Sequence, residues 1–121
     1  MNYLKINELK EKKIIYGFFT RRDGVSFNNF ESLNCSHSSG DDKSLVKKNI
    51  ELAKSYLGLE NKTLKFLKQT HSPNIEIITK KNLHNDTYAD GSITRDKNIA
   101  LAILTADCAP IILFDKKNTI I

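Results

Sequence analysis

At 121 residues, with 40% hydrophobic and 27% charged side chains, the chain can bury the modest core of one globular domain and is too balanced to be a disordered tail. No apolar run approaches the ~20 residues needed to cross a bilayer, which argues against a membrane span. A formal charge of +5, from 19 Lys and Arg against 14 Asp and Glu, raises nucleic acid and anionic ligands as partners. The lysines, however, fall in scattered pairs such as Lys47-Lys48 and Lys80-Lys81, with no aromatic residues interleaved as a stacking platform. They read as solvated surface, and no nucleic acid is expected. Met1 to Lys13 has no signal-peptide core, so the expected location is cytoplasmic, with Cys35 and Cys108 as reduced thiols. Oligomeric state is not legible at this level.

The run Ile14 to Thr20 is apolar and aromatic and predicts a buried strand, broken at Arg21-Arg22-Asp23-Gly24, where Asp-Gly signals a turn. Val25 to Asn34 is polar and loop-like. Asp41 or Asp42 can cap a helix from about Lys43 to Leu57. Val46, Ile50, Ala53 and Leu57 form its apolar stripe, widened by Leu45 and Leu52, and Gly58 supplies a left-handed stop. Short strands are predicted over Leu64 to Lys68, Ile75 to Thr79, Gly91 to Thr94, Ala100 to Thr105, Ile111 to Phe114 and Thr119 to Ile121. Asn82 to Asp90 is a polar connector. Ala100 to Leu104 is apolar on both faces, the pattern of a central, doubly covered strand. Asp115 to Asn118 reads as a hairpin-type turn into a strand that stops at once, which predicts a truncated domain.

Two stretches carry the chemistry. Phe66 and Leu67 lead into Gln69-Thr70-His71-Ser72-Pro73, and Ala100 to Leu104 lead into Thr105-Ala106-Asp107-Cys108-Ala109-Pro110. In each, an apolar run ends on a soft ligand-type side chain followed by a proline. Strand ends are where metal and nucleophile sites are often built. Taken singly, His71 is more often a hydrogen-bonded structural residue, and Cys108 a small buried hydrophobe. Thr-Ala-Asp-Cys after an apolar run is nevertheless poor core sequence, and it makes sense where a strand delivers a thiol into a cleft. A catalytic zinc takes three protein ligands, and Cys35, His37 and His84 stand at no recognisable ligand spacing from this pair.

Several blocks together resemble the polyphenol-oxidase or laccase-domain family, now described as zinc-dependent purine nucleoside phosphorylases. They are Phe19-Thr20-Arg21-Arg22-Asp23-Gly24-Val25-Ser26, Ser32-Leu33-Asn34, Gly40-Asp41-Asp42 before a helix containing Asn49, Leu67 to His71, Ala89-Asp90-Gly91 before Thr94, and Leu104 to Pro110. They cover nearly the whole chain in the right order. The resemblance implies one zinc on His71 and Cys108, with a third ligand from a His-Ala-Gly-Trp-Arg block. This chain has no Trp, so it resembles the N-terminal half of a member and lacks that third His ligand. Two departures stand out: Asp23-Gly24 replaces the family's double glycine, and Asn49-Ile50 its Asn-Arg.

The implied fold is α+β, mixed β-sheets covered by helices in a layered sandwich, incomplete at the C-terminus, with residues 1–121 as the N-terminal part of a single domain. The implied activity is phosphorolysis of adenosine, inosine and S-methyl-5'-thioadenosine with phosphate, plus adenosine deamination. Zinc polarises phosphate or water. Asp107 is the proton-handling or ligand-bracing group, and Arg21 and Asn34 are candidates for anion and ribose contacts. Each of those two is equally a loop-bracing residue. A multicopper oxidase needs many His ligands, whereas this chain has three and no His-x-His pair. Two rival readings use the same residues: a cysteine hydrolase with Cys108 as nucleophile and His71 as base, and a non-catalytic fragment or binding module. The fragment alone is expected to be inactive.

Overall fold

The computed structural model describes Tyr3–Leu4 and residues 14–121 apart from 116, 118 and 119. The rest of the Met1 to Lys13 segment, and parts of the predicted terminal turn and strand, therefore lie outside the described residues. The chain forms two compact units, Met1–Glu60 and Asn61–Ile121.

In the first unit, β1 (Tyr3–Leu4) pairs antiparallel with β2 (Phe18–Phe19). The predicted strand over Ile14 to Thr20 thus shrinks to two residues, and Ile15 is 57% exposed. Apolar content there exceeds the backbone pairing available to it. A 3-10 turn, Asn28–Phe30, lies within the polar loop.

Helix α1 (Lys43–Tyr56) follows the predicted span closely. Asp42 caps it, its Oδ1 accepting from the Ser44 N–H at 2.6 Å, and this bond holds the Asp42 carboxyl below its usual range. Val46 and Ile50 are buried as the 3.6-residue period requires, while Leu52 at the edge of the stripe stays exposed. The helix ends in a Schellman motif. Gly58, at φ +68°, donates to the Ser55 carbonyl at 3.0 Å, and Leu59 donates to that of Lys54 at 2.9 Å.

Asn49 faces inward from α1 with no exposed surface. Its Oδ1 accepts from the Val25 N–H at 2.8 Å, and its Nδ2 donates to Ser26 Oγ at 2.8 Å and to the Asn34 carbonyl at 2.9 Å. Ser26 Oγ donates onward to Asp41 at 2.6 Å, which keeps that carboxyl below its usual range. One buried amide thus pins the polar loop to the helix. Gly24 is required in the same loop, because a Cβ there would sit 2.1 Å from the Ser32 carbonyl oxygen and 2.4 Å from Leu33 Cα.

The second unit rests on two parallel strand pairs. β3 (Thr63–Phe66) pairs with β6 (Ile99–Ala102), placing Thr63 opposite Ile99 and Phe66 opposite Ala102. β4 (Ile75–Ile77) pairs with β5 (Gly91–Ile93). A parallel bridge between Lys68 and Tyr88 continues β3 toward β5. The core between these elements is Leu67, Ile78, Ala89 and Ile99, with Leu83 and Leu101 packed against it.

Lys65 points inward from β3 at 5% exposure and donates to the carbonyls of Leu83 (3.0 Å) and Asn85 (2.6 Å). A buried ammonium has to be satisfied in this way, and here it ties the polar connector to the strand.

Two expectations are corrected in this unit. β6 is not doubly covered: of its residues only Ile99 is buried, and Ile103 just beyond it is 38% exposed. Ile111 to Phe114 forms no strand, and Ile111 and Leu113 are 72% and 78% exposed. Strand propensity alone does not create a ladder partner. Asp115 and Ile120 form an antiparallel bridge, and Ile121 exchanges backbone hydrogen bonds with Thr94. Small mixed sheets with a helix agree with the α+β class. Among the described residues no helix is long and apolar enough to cross a membrane.

Candidate functional site

Parallel pairing determines which residues share an end of the sheet. Because β3 and β6 run in the same direction in register, the segments that follow Phe66 and Ala102 both emerge at the C-terminal edge. His71 lies on the first segment, and Asp107 and Cys108 on the second. Carboxyl ends of parallel strands are the usual location of ligand sites in α/β sheets.

Gln69 joins the two segments directly. Its Nε2 donates to the Leu104 carbonyl at 2.9 Å, and its Oε1 accepts from the Leu104 N–H at 2.9 Å. A primary amide has one donor edge and one acceptor edge, so it substitutes for a strand residue where the β3–β6 ladder has ended. The clasp sets the segment that carries Cys108 against the one that carries His71.

The His71 turn is shaped by Asp90. The Asp90 carboxylate accepts the backbone N–H groups of Thr70 (3.1 Å), His71 (3.0 Å) and Ser72 (2.8 Å), and Ser72 Oγ at 2.9 Å. His71 adopts φ +55°, a left-handed conformation that a side-chain-bearing residue takes only at some cost. The hydrogen bonds, the Ser72 amide first, draw the Asp90 carboxyl down to about 2. On the backbone side, Asp90 and Gly91 both donate to the Asn74 carbonyl at 3.1 Å, so the turn is held from both sides.

His71, Asp107 and Cys108 are all exposed, and Cys108 is a free thiol. Imidazole and thiolate are donors that suit zinc. Their number does not close a metal site: among the described residues no three His, Cys, Asp or Glu side chains gather as one. Cys35 is half-buried, and burial pushes its thiol up to about 11, where it stays protonated and makes a poor ligand. His37 and His84 are exposed.

Arg21 and Asn34 belong to the first unit and are engaged within their own loop. Arg21 directs both Nε and Nη2 at the Glu31 carbonyl, at 2.9 and 2.6 Å. Asn34 Nδ2 donates to Ser39 Oγ at 2.8 Å and to Asp41 at 3.0 Å. A surface depression beside α1, lined by Val25, Lys47, Lys48 and Leu52, contains none of the candidate residues, whereas a second is lined by Arg21, Arg22, Glu31 and Ser32.

A family model described as multi-copper polyphenol oxidoreductase laccase matches residues 15–121. The chain belongs to this laccase family. It is 34% identical over 101 residues to "Purine nucleoside phosphorylase SCO2081" of Streptomyces coelicolor, covering 83% of this chain and 42% of that one. It is 31% identical to "Purine nucleoside phosphorylase YlmD" of Bacillus subtilis, covering 91% of this chain and 42% of that one. Among solved structures it is similar to Neisseria meningitidis protein NMB0706, with a TM-score of 0.71 at 30% identity over 83% of this chain and 40% of that one. YlmD from Geobacillus stearothermophilus gives 0.69 at 28% identity, over 76% and 37%. The chain spans about two fifths of the length of these laccase-family relatives.

Within the laccase-family blocks, the structure adds Gln69 and Asp90, for which the sequence suggested no role. Both lie in quoted blocks, Leu67 to His71 and Ala89-Asp90-Gly91. The only signal was a polar side chain beside a strand end, since partners 35 and 18 to 20 residues away leave no local pattern.

Proposed function

We propose that the chain supplies the His71–Cys108 side of a zinc-dependent purine nucleoside phosphorylase site. The nucleosides would be adenosine, inosine and S-methyl-5'-thioadenosine, phosphate the co-substrate, adenosine deamination a further activity, and the cytoplasm the location. Residues 1–121 would then be the N-terminal part of a single domain, inactive alone. The observation that carries the reading is the parallel β3–β6 pair, which leads the His71 and Cys108 segments out of one sheet edge, clasped by Gln69. The names of the relatives give the reaction class.

In this reading His71 and Cys108 are two of the zinc ligands, and the third is a His outside residues 1–121. Bound zinc supplies positive charge against a developing negative oxygen. Phosphorolysis breaks the bond between base and ribose C1' and forms one from C1' to a phosphate oxygen, so the departing base needs a proton. Asp107, beside Cys108 and exposed, would be the carboxyl that handles it. Arg21 is assigned to phosphate and Asn34 to ribose, each presented by a loop that its own hydrogen bonds brace.

Elemental analysis and inosine phosphorolysis test this together. The purified chain is expected to hold zinc weakly, to lose it in His71→Ala and Cys108→Ala, and to turn over nothing. Joined to the C-terminal part of the Bacillus subtilis relative, it is expected to release hypoxanthine only when phosphate is present. Zinc retained in both variants would refute the ligand assignment. Metal-independent turnover abolished by thiol alkylation would favour a cysteine hydrolase instead.

A further inference from the structure

We propose that Asp90 is the positioning residue for His71, acting through the backbone of the Thr70–Ser72 turn. This rests on the reading of His71 and Cys108 as paired zinc donors. Three consecutive amides converging on one carboxylate form an anion-binding concavity of the kind that inorganic anions occupy in other proteins. Here the protein fills it with its own side chain. The geometry is one-sided: Asp90 touches the main chain of His71 rather than its imidazole, so its effect on the ring is conveyed through the left-handed φ of +55°. Without an acceptor for three adjacent N–H groups, that conformation loses its compensation and the turn relaxes toward ordinary φ values.

The carboxylate divides its work between its two oxygens. Oδ2 takes the amides of Thr70 and Ser72 and the Ser72 hydroxyl, while Oδ1 takes the amide of His71. Replacement by an amide therefore cannot satisfy all of them, since its NH2 must face either the His71 amide or the donors gathered on Oδ2. Asn at this position is isosteric but wrong at one oxygen, whichever way it turns. Removing the Ser72 hydroxyl deletes its bond to Asp90 and the 3.3 Å bond it accepts from the Asn74 N–H, and leaves all three amides on the carboxylate in place.

The test uses the full chain, with zinc alone as the probe. Peptide-resolved alkylation of Cys108 is followed against zinc concentration, beside hydrogen exchange of the 70–72 amides and the thermal unfolding curve. Asp90→Asn is expected to raise the zinc concentration for half-protection of Cys108 by roughly 10- to 100-fold, the usual range for a group that orients a ligand. Ser72→Ala is expected to shift it only a few-fold. The 70–72 amides should exchange faster in Asp90→Asn, while the helical signal of α1 is unchanged. If Asp90→Asn does not fold, the shift in Ser72→Ala, with no change at Cys35, carries the test. Equal zinc protection in the unaltered chain and both variants would overturn the role given to Asp90 while leaving the donor pair intact. No protection of Cys108 by zinc in the unaltered chain would overturn the donor pair, and the Asp90 role with it.

Discussion

Replacing Asn49 with alanine isolates the contribution of the buried amide in the first unit. Asn49 has no exposed surface and makes three hydrogen bonds of 2.8 to 2.9 Å, to Val25, Ser26 and Asn34. Each such bond contributes about 1 kcal/mol net, and stranding a buried partner costs about 1–3 kcal/mol. The partners are unequal. Val25 is exposed and Asn34 half-buried, so water can reach both, whereas buried Ser26 keeps Asp41 as its acceptor. The lower figure therefore applies to each bond, and Asn49→Ala should cost about 3 kcal/mol, or roughly 10 °C in Tm for a chain of this size. Far-UV circular dichroism reads this well, because α1 dominates the helical signal. Asn49→Asp should be as damaging, because its second oxygen would face the Asn34 carbonyl where an NH2 now donates. A loss below about 1 kcal/mol in Asn49→Ala would refute the view that this amide holds the loop to the helix.

Gly24→Ala drives a Cβ to within 2.1 Å of the Ser32 carbonyl oxygen and should cost about 2–3 kcal/mol in urea unfolding. Gln69→Glu keeps an acceptor for the Leu104 N–H but sets oxygen against the Leu104 carbonyl, so the Leu104 amide should exchange at least tenfold faster at about 1.4 kcal/mol of lost protection. The folded Asp90 carboxyl titrates near 2, below the ordinary value near 3.9, so it stabilises the fold fully above that ordinary value. Its contribution is lost as pH falls through about 2. Acid unfolding should therefore show a slope between these values that is shallower in Asp90→Asn, with the contributions of Asp41 and Asp42 remaining.

Helix α1 was readable in the sequence because its determinants are local: an Asx cap, a 3.6-residue apolar stripe and a glycine stop all lie within one window. β3 was readable within two residues and β6 within three, its ladder ending at Ala102 rather than Thr105, since apolar runs bounded by polar residues mark strands. The run Ile14 to Thr20 and the run Ile111 to Phe114 carried the same mark, yet only Phe18–Phe19 found a ladder partner, and residues 111–114 stayed exposed. Pairing is a property of two segments, and one segment's composition does not reveal it. That His71 and Cys108 lie on the segments following β3 and β6, five and six residues past their last paired residues, was legible for the same reason as the strands. What Asp90 and Gln69 do was not, because a side chain that replaces a distant backbone partner has no spacing rule.

The parallel register of β3 and β6 also bears on how the chain reaches this structure. α1 is built from contacts three and four residues apart, whereas the Gln69–Leu104 clasp closes a separation of 35. Contacts that distant form late, and parallel pairs must wait for their whole crossover. Refolding should therefore recover helical signal first and strand pairing later. During that interval Ile75 and Ile77, which stay 64% and 65% exposed even when folded, present an adhesive apolar surface. Refolding yield will fall with protein concentration, and the second unit will be where aggregation begins.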